Sequence, residues 1–208
     1  MTKLLVISAN PNTSDTSFGL AAGKAFLDSY RTANPGDQVT EVNLFDIYVP
    51  ELDRQMFKAL AALANGESFD SLDSEQQKAI IASDALLKQF IEHDKYLFIT
   101  PLWNACFPAR FKSYLDALCV PQKTFMYTEE GYPKGLIEGN RKAIHIHAGG
   151  SFLRGSNQAD SVLREVMHLI GIPEIETLYI QGHGQKPELS DKIKEIAKER
   201  ASEMAKHF

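Results

Sequence analysis

The chain has 208 residues, 44% hydrophobic and 24% charged, as in a globular protein with a real core. Its net charge of −5, without a long basic run, argues against nucleic acid or an anionic membrane as the main partner. We expect no targeting segment and no membrane span. The two cysteines indicate neither a disulfide framework nor a zinc site, so we expect a cytoplasmic protein with one domain over residues 1–208.

The first elements are a strand, a polar loop and a helix. Residues 3–7 form an apolar run typical of a buried strand, and residues 8–17 form a loop rich in Ser, Thr and Asn. Helical spacing of apolar residues then continues from residue 18 to a stop at residues 34–37. The next strand, residues 39–44, is more polar and should lie near a sheet edge.

Residues 45–94 form an insertion that is longer than a simple crossover between strands requires. The pattern predicts one helix over residues 53–64 and another from about Ser74 to Ile91, with Asp73 or Ser74 as its cap.

A strand, an unusual loop and a helix follow. Tyr96–Ile99 is apolar on both faces, as in a central parallel strand, and Pro101 ends it. A helix is predicted to begin around Pro108. The connecting residues, Leu102–Phe107, are large and apolar with one amide. They are either a ligand-binding loop at the carboxyl end of a strand or a buried loop around Trp103.

The remaining elements complete an α/β pattern. Residues 120–140 are aromatic and rich in turn residues, which indicates a second insertion, an ordered loop or a short hairpin. Strands are predicted at 143–147 and 175–180, and helices at 156–170 and 190–206. Five alternations of strand and helix predict a flavodoxin-like, doubly wound parallel sheet of order 2-1-3-4-5, with helices on both faces.

Three loops that follow strands form a candidate ligand site. The loop at residues 8–17 leads into a helix whose free N–H groups suit a phosphate, although simple N-capping uses the same residue types. The loop at Leu102 is apolar and flat enough to cover an aromatic ring. In Ala148-Gly149-Gly150, missing side chains let the backbone approach a ligand. This layout is that expected for flavin mononucleotide (FMN).

Other known patterns are absent or weak. The sequence has no GxxxxGK[ST], GxGxxG or GxSxG motif. His145 and His147 share one face of a strand, but they lack further ligands at metal-binding spacing, so we expect no metal. We expect Cys106 to be a small buried apolar residue, with a reactive thiol beside the ring site as the alternative, and Cys119 to belong to the core.

Two segments are specific in combination. They are Pro101-Leu102-Trp103-Asn104 with Lys112 and Tyr114-Leu115-Asp116, and Thr124-Phe125-Met126-Tyr127-Thr128-Glu129 followed by Gly131, Gly135 and Leu136. They resemble the flavin-contacting loop and helix, and the TF-x-YTE-x-G segment, of the FMN-dependent NADH-azoreductases, also called NADH:quinone oxidoreductases. The resemblance extends over nearly the whole chain.

The resemblance implies specific contacts. Phosphate contacts are expected from Asn10, Ser17, Phe18 and Gly19. Ring contacts are expected from Leu102, Trp103, Asn104, Ala105, Ala148, Gly149 and Gly150, and a substrate contact from Tyr127. Two departures concern the ring: family members often have a larger residue than Ala105, and the turn His147-Ala148-Gly149-Gly150 is one residue shorter.

We therefore expect an enzyme with one non-covalent FMN per chain and no catalytic side chain, because the flavin carries the chemistry. NADH or NADPH would be the electron donor, and quinones or azo compounds the acceptors, in ping-pong kinetics. Apolar residues of the two insertions predict a homodimer with a shared site (Phe57, Leu60, Leu63, Phe69, Leu72, Phe125, Tyr127 and Tyr132). The alternatives are a flavodoxin-type electron carrier and a binding protein for a phosphorylated metabolite.

Overall fold

A computed structural model describes residues 1–153 and 157–208. Its main sheet has five parallel strands in the order β2-β1-β3-β6-β7. These strands are β1 (Lys3–Ser8), β2 (Gln38–Asn43), β3 (Lys95–Pro101), β6 (Lys142–Gly149) and β7 (Glu174–Gln181). The helices are α1 (Phe18–Ala33), α2 (Arg54–Ala64), α3 (Ser74–Ile91), α4 (Ala109–Leu118), α5 (Gln158–Ile170) and α6 (Ser190–Lys206). The predicted strand order is confirmed.

Burial explains why the sheet has this order. The central strands β1, β3 and β6 are buried on both faces, and their buried side chains are apolar except for Thr100, His145 and His147. The polar strand β2 lies at an edge, as predicted, and β7 forms the other edge. Aromatic residues of α3 and α4 pack on one face of the sheet, and α1 and α6 cover the other.

Helix termini agree closely with the sequence signals. Asp73 caps α3 in a reciprocal capping box with Gln76, so Asp73 and not Ser74 is the cap. Pro108 is the N-cap of α4 and not its first helical residue. The described part of α5 begins at Gln158, and the predicted start at residue 156 lies outside the described residues.

The second insertion is a two-stranded antiparallel hairpin of β4 (Phe125–Tyr127) and β5 (Pro133–Gly135). It is anchored at the end of α5, where the Ile137 N–H donates to the Ile170 carbonyl at 3.0 Å. Crossover helices run antiparallel to the strands, so this end of α5 lies at the amino end of the sheet. The hairpin is therefore at the opposite end from the three predicted ligand loops.

The apolar patch predicted on the insertions is only partly exposed. Phe57 is 59% exposed and Leu60 is also exposed, whereas Leu72 and Phe125 are buried, contrary to the prediction. Leu72 directly follows the short 3-10 helix at Phe69–Ser71 and is only 8% exposed. Phe125 packs edge to face against Tyr127 within the hairpin, with 5.7 Å between ring centroids.

No helix within residues 1–153 and 157–208 combines the length and the apolarity that crossing a bilayer requires.

A candidate binding site at the carboxyl end of the sheet

The loop after β1 forms a built N-terminus for α1. Ser17 is the N-cap, and its Oγ accepts from the Leu20 N–H at 3.3 Å. The Asn10 side chain is buried and donates from Nδ2 to the same Oγ at 3.0 Å. Within the described chain, the N–H groups of Phe18 and Gly19 have no hydrogen-bond acceptor. The loop therefore presents two free donors at the positive end of a helix, an arrangement suited to an anion.

N-capping does occur here, and Asn10, which was predicted to contact the phosphate, supports the capping residue in this structure. Asn10 is engaged on both sides, since its Oδ1 also accepts from the Asn12 N–H at 3.0 Å. Asn10 positions Ser17, while the backbone of Phe18 and Gly19 remains available to a ligand.

The loop after β3 is a tight turn. Trp103 and Cys106 exchange two backbone hydrogen bonds of 2.7 and 3.0 Å, and Asn104 and Ala105 between them have φ angles of 51° and 66°. Trp103 is 41% exposed, and Asn104, Ala105 and Cys106 are exposed as well. The interpretation of this segment as a buried loop is therefore wrong, and so is the expectation that Cys106 is buried. Cys119 is half-buried and packs against the core.

The structure brings the three predicted loops together. The Leu102 N–H donates to the Ala148 carbonyl at 2.7 Å, which joins the loops after β3 and β6. A Cβ atom at Gly19 would lie 3.4 Å from the Cβ of Ala148, so the first loop also reaches this point. A Cβ atom at Gly149 would lie only 3.1 Å from Leu102, and glycine keeps this space open.

Trp103 leans away from this junction and towards the loop after β2. Its ring packs edge to face on the Phe45 ring, with 6.4 Å between centroids. The Arg110 guanidinium lies over the Phe45 ring, 5.2 Å from its centroid. A hollow of about 330 Å³ lies between Trp103, Phe45 and the start of α4. The exposed ring of Trp103 thus borders this hollow at the carboxyl end of the sheet.

A buried polar network lies on β6, close to the third loop. Asp160 accepts hydrogen bonds from His145 Nδ1 at 2.8 Å and from Tyr179 Oη at 2.6 Å. Burial opposes ionisation of Asp160, but these bonds, with those from Arg164 and Thr177, hold its pKa well below the ordinary carboxyl value. Burial also lowers the pKa of His145, so this pair is a neutral imidazole on a carboxylate.

The charge on Asp160 fixes the tautomers along this network. His145 donates from Nδ1, so its Nε2 must accept from the Thr100 hydroxyl at 2.8 Å. Thr100 has then used its one proton and accepts from His147 Nδ1 at 2.7 Å. His147 Nε2 is left as an acceptor with no partner among the described residues.

The predicted substrate residue Tyr127 is on the hairpin and is 62% exposed. The eight residues of β6 separate this end of the sheet from the ligand loops. At the rise of a strand, that is roughly 20–25 Å. Tyr127 is therefore remote from the three loops of its own chain.

A fourth loop, not predicted from the sequence, joins the site. After β7, the N–H groups of Gly184 and Gln185 both donate to the Gly150 carbonyl, at 2.9 and 3.1 Å. His183 in this loop stacks on Phe18, with ring centroids 3.9 Å apart. The signal available in the sequence was Gly182-His183-Gly184 directly after a predicted strand, where ligand loops of open α/β sheets occur.

The arrangement suits an elongated ligand with an anionic end and a flat end. Free N–H groups lie at one end, and glycine backbone with exposed turn residues lies at the other. A larger hollow of about 800 Å³, between β6, β7 and α6, is lined by residues at the amino end of the sheet. It collects none of the convergent donors just described, so the loops are the better candidate site. The described residues contain no metal-binding group of three or more His, Cys, Asp or Glu.

Comparisons with known proteins agree on one family. A family model described as flavodoxin-like fold matches residues 2–205. An FMN-dependent NADH:quinone oxidoreductase 3 of Bacillus cereus is 42% identical, and an FMN-dependent NADH:quinone oxidoreductase of Geobacillus kaustophilus is 38% identical, each over 100% of both chains.

Solved structures give the same result. The azoreductase from Bacillus anthracis str. Sterne has a TM-score of 0.89 at 34% identity and covers 100% of both chains. An FMN-dependent NADH-azoreductase from Bacillus anthracis str. Ames Ancestor, solved in complex with FMN, has a TM-score of 0.86 at 28% identity. It covers 99% of this chain and 100% of its own.

Proposed function

The chain belongs to the flavodoxin-like family of FMN-dependent NADH:quinone oxidoreductases, and we propose that it binds one FMN non-covalently and reduces quinones and aromatic azo compounds. The observation that carries this proposal is the meeting of three loops after β1, β3 and β6. They offer N–H groups at Phe18 and Gly19 that are unpaired within residues 1–153 and 157–208, and an open glycine backbone at Gly149. These features match the phosphate and the planar ring of FMN.

Each loop has a distinct task in the proposed site. Ser17, Phe18 and Gly19, with Asn10 as support, would hold the phosphate. Leu102, Asn104 and Ala105 would face the ring on one side, and Ala148, Gly149 and Gly150 on the other, with Trp103 as a wall. Bound FMN would supply the redox chemistry by taking a hydride from a reduced nicotinamide and passing two electrons to an acceptor.

We further propose ping-pong kinetics, in which the nicotinamide leaves before the acceptor binds. The four loops occupy the protein side of the site, so only one face is open to a second aromatic molecule. An azo bond needs four electrons for cleavage, so it would require two rounds. Parallel double-reciprocal lines are expected when NADH and a soluble quinone are varied together, and intersecting lines would contradict the shared face.

The homodimer is part of the same proposal. Phe57, Leu60 and the hairpin residues Tyr127 and Tyr132 are exposed apolar or aromatic groups that a partner subunit could cover. Tyr127 lies at the amino end of its own sheet, so it could contact a substrate only in the partner's site. A two-fold axis would give each ligand site one such hairpin.

Reconstitution tests the cofactor directly. Protein incubated with excess FMN and then desalted should be yellow, with one FMN per chain, and denaturation should release the flavin. NADH alone should then bleach the flavin absorbance under anaerobic conditions. Colourless protein after desalting would refute the assigned site, and bound flavin that NADH does not bleach would favour an electron carrier instead.

A further inference from the structure

Two basic side chains from the end of the chain lie beside the free N-terminus of α1. The His183 ring stacks on the Phe18 ring, with 3.9 Å between centroids and 14° between planes. Lys194 of α6 donates from Nζ to the Asp15 carbonyl at 2.8 Å, and the same Nζ lies 5.9 Å from the Phe18 centroid. Both residues thus contact the segment that leads to the N–H groups of Phe18 and Gly19.

The position of His183 is fixed by backbone hydrogen bonds and not by chance contact. Gly184 and Gln185 both donate to the Gly150 carbonyl, and the Gln185 side chain accepts from the Phe152 N–H at 2.9 Å. His183 Nε2 lies 3.9 Å from the place that a Cβ atom on Gly150 would occupy. The loop after β7 therefore connects the loop after β6 to the loop after β1.

The helix N-terminus alone does not balance the negative charge of a phosphate. A phosphate monoester carries a charge of about −1.5 to −2 at neutral pH, and a helix N-terminus supplies only about +0.5. Asn10, Ser17, Phe18 and Gly19 add no formal charge, and Asp15 adds a negative one. Among the described residues, His183 and Lys194 are basic side chains that contact this loop and the first residue of α1.

His183 is suited to respond to such a ligand. Its Nδ1 is buried without a partner among the described residues, and burial lowers the pKa of the ring. A phosphate nearby would favour the protonated form, which donates from both nitrogens.

We propose that His183 and Lys194 form the basic side of the phosphate-binding site and select the phosphorylated flavin over flavin without phosphate. This inference rests on the proposed function, because it assigns two further residues to the FMN site. It predicts that removing either basic group weakens the binding of flavin that carries a phosphate more than the binding of flavin without one.

The test compares FMN with riboflavin, which lacks the phosphate. Dissociation constants for both flavins would be measured by quenching of flavin fluorescence, for the wild-type chain, His183→Phe and Lys194→Gln. His183→Phe keeps a ring to stack on Phe18 and removes both nitrogens. Matched controls are His168→Gln, an exposed histidine on the last turn of α5, and Lys192→Gln, an exposed lysine of α6.

We expect each variant to bind FMN roughly ten-fold more weakly, with riboflavin affinity unchanged. The two controls should leave both affinities within about two-fold of wild type. An unchanged ratio of the two affinities in both variants would overturn the inference. If both affinities fall equally, the residues have a structural role and do not recognise the phosphate.

The design separates this inference from the proposed function. Wild-type protein that does not bind FMN would refute the FMN site itself. Wild-type protein that binds FMN, with variants that keep the wild-type preference, would refute only the role of His183 and Lys194. Should His183→Phe not fold, Lys194→Gln still decides, because it changes a half-buried side chain near the end of the chain.

Discussion

Asn104 and Ala105 have left-handed backbone, which suits asparagine but costs alanine about 1–2 kcal/mol. Such strain persists only where the surroundings fix it, and it is concentrated at functional sites. Here it turns the Asn104 amide outward at the carboxyl end of the sheet. The strained turn therefore supports the view that this loop is shaped for a ligand and not for packing.

The Asn104 amide can be tested without disturbing the turn. Asn104→Gly tolerates the positive φ and removes the amide, and Asn104→Ala removes it with added strain. Both should weaken FMN binding by about 1–3 kcal/mol, as expected for one buried hydrogen bond in the complex. Trp103→Ala should also weaken FMN binding.

Gln122→Gly is the matched control, since Gln122 also has a positive φ, of 63°, but lies outside the three ligand loops, so the substitution relieves strain and should keep FMN affinity. Full flavin occupancy and activity in Asn104→Gly and Trp103→Ala would mean that this loop has no part in binding.

The buried histidines make stability depend on pH. Burial, together with nearby His145, lowers the pKa of His147 to about 3, below the ordinary value of about 6.5 for the unfolded chain. Between these values the unfolded state binds more protons, so stability is lost as the pH falls. Asp160, whose pKa is also lowered, adds a further loss below about pH 4.

His147→Gln should therefore flatten the pH dependence of the free energy of unfolding. We expect the slope between about pH 6 and pH 4.5 to fall by up to about 1.4 kcal/mol per pH unit. Urea unfolding at a series of pH values measures it. The exposed residue His168 provides the control, because His168→Gln should leave the slope as it is. If the free energy of unfolding had the same slope against pH in His147→Gln and His168→Gln, His147 would not be held neutral in the folded chain.

At the scale of elements, the hairpin is attached through a contact between two backbones. A Cβ atom at Gly135 of β5 would lie 2.3 Å from the backbone nitrogen of Gly171, which ends α5 with a φ of 105°. The atoms that this Cβ would meet belong to the main chain, so they cannot move aside as a flexible side chain could. The close approach therefore requires glycine at Gly135.

Gly135→Ala should destabilise the fold by about 1–3 kcal/mol or detach the hairpin. Chemical unfolding measures the first outcome, and faster proteolysis near residues 125–135 detects the second. Gly36→Ala is the control, since a Cβ atom there meets nothing within 4 Å, and it should change stability by no more than about 0.5 kcal/mol. Equal stability and protease resistance of the two variants would contradict the contact.

At the scale of the whole molecule, the proposed dimer can be tested by complementation. The dimer should have about twice the chain mass of 23.2 kDa by light scattering. Asn104→Gly impairs the flavin loop, and Tyr127→Ala would remove the residue that a partner receives. Mixed and reassociated, the two variants should regain up to about a quarter of wild-type activity, because half the dimers are mixed and each has one intact site.

Two outcomes would exclude the shared site. One is a fully active protein with the mass of a single chain at micromolar concentration. The other is full activity of Tyr127→Ala by itself, which would mean that the hairpin residue touches no substrate.

The amino-acid sequence by itself determined the alternation of strands and helices, the polar edge strand β2 and the bounds of α1, α3 and α6. These features follow from apolar periodicity, caps and breakers, which are local and readable along the chain. It also indicated the three loops, because a strand followed by a helix places its loop at the carboxyl end of the sheet.

Only the tertiary structure decided which side chains meet across long stretches of chain. It placed His183 on Phe18, exposed Trp103 and Cys106, buried Leu72 and Phe125, and put the hairpin at the amino end of the sheet. Local pattern shows that a residue is apolar or polar, but the packing of distant elements decides which surfaces are covered and which polar groups find partners.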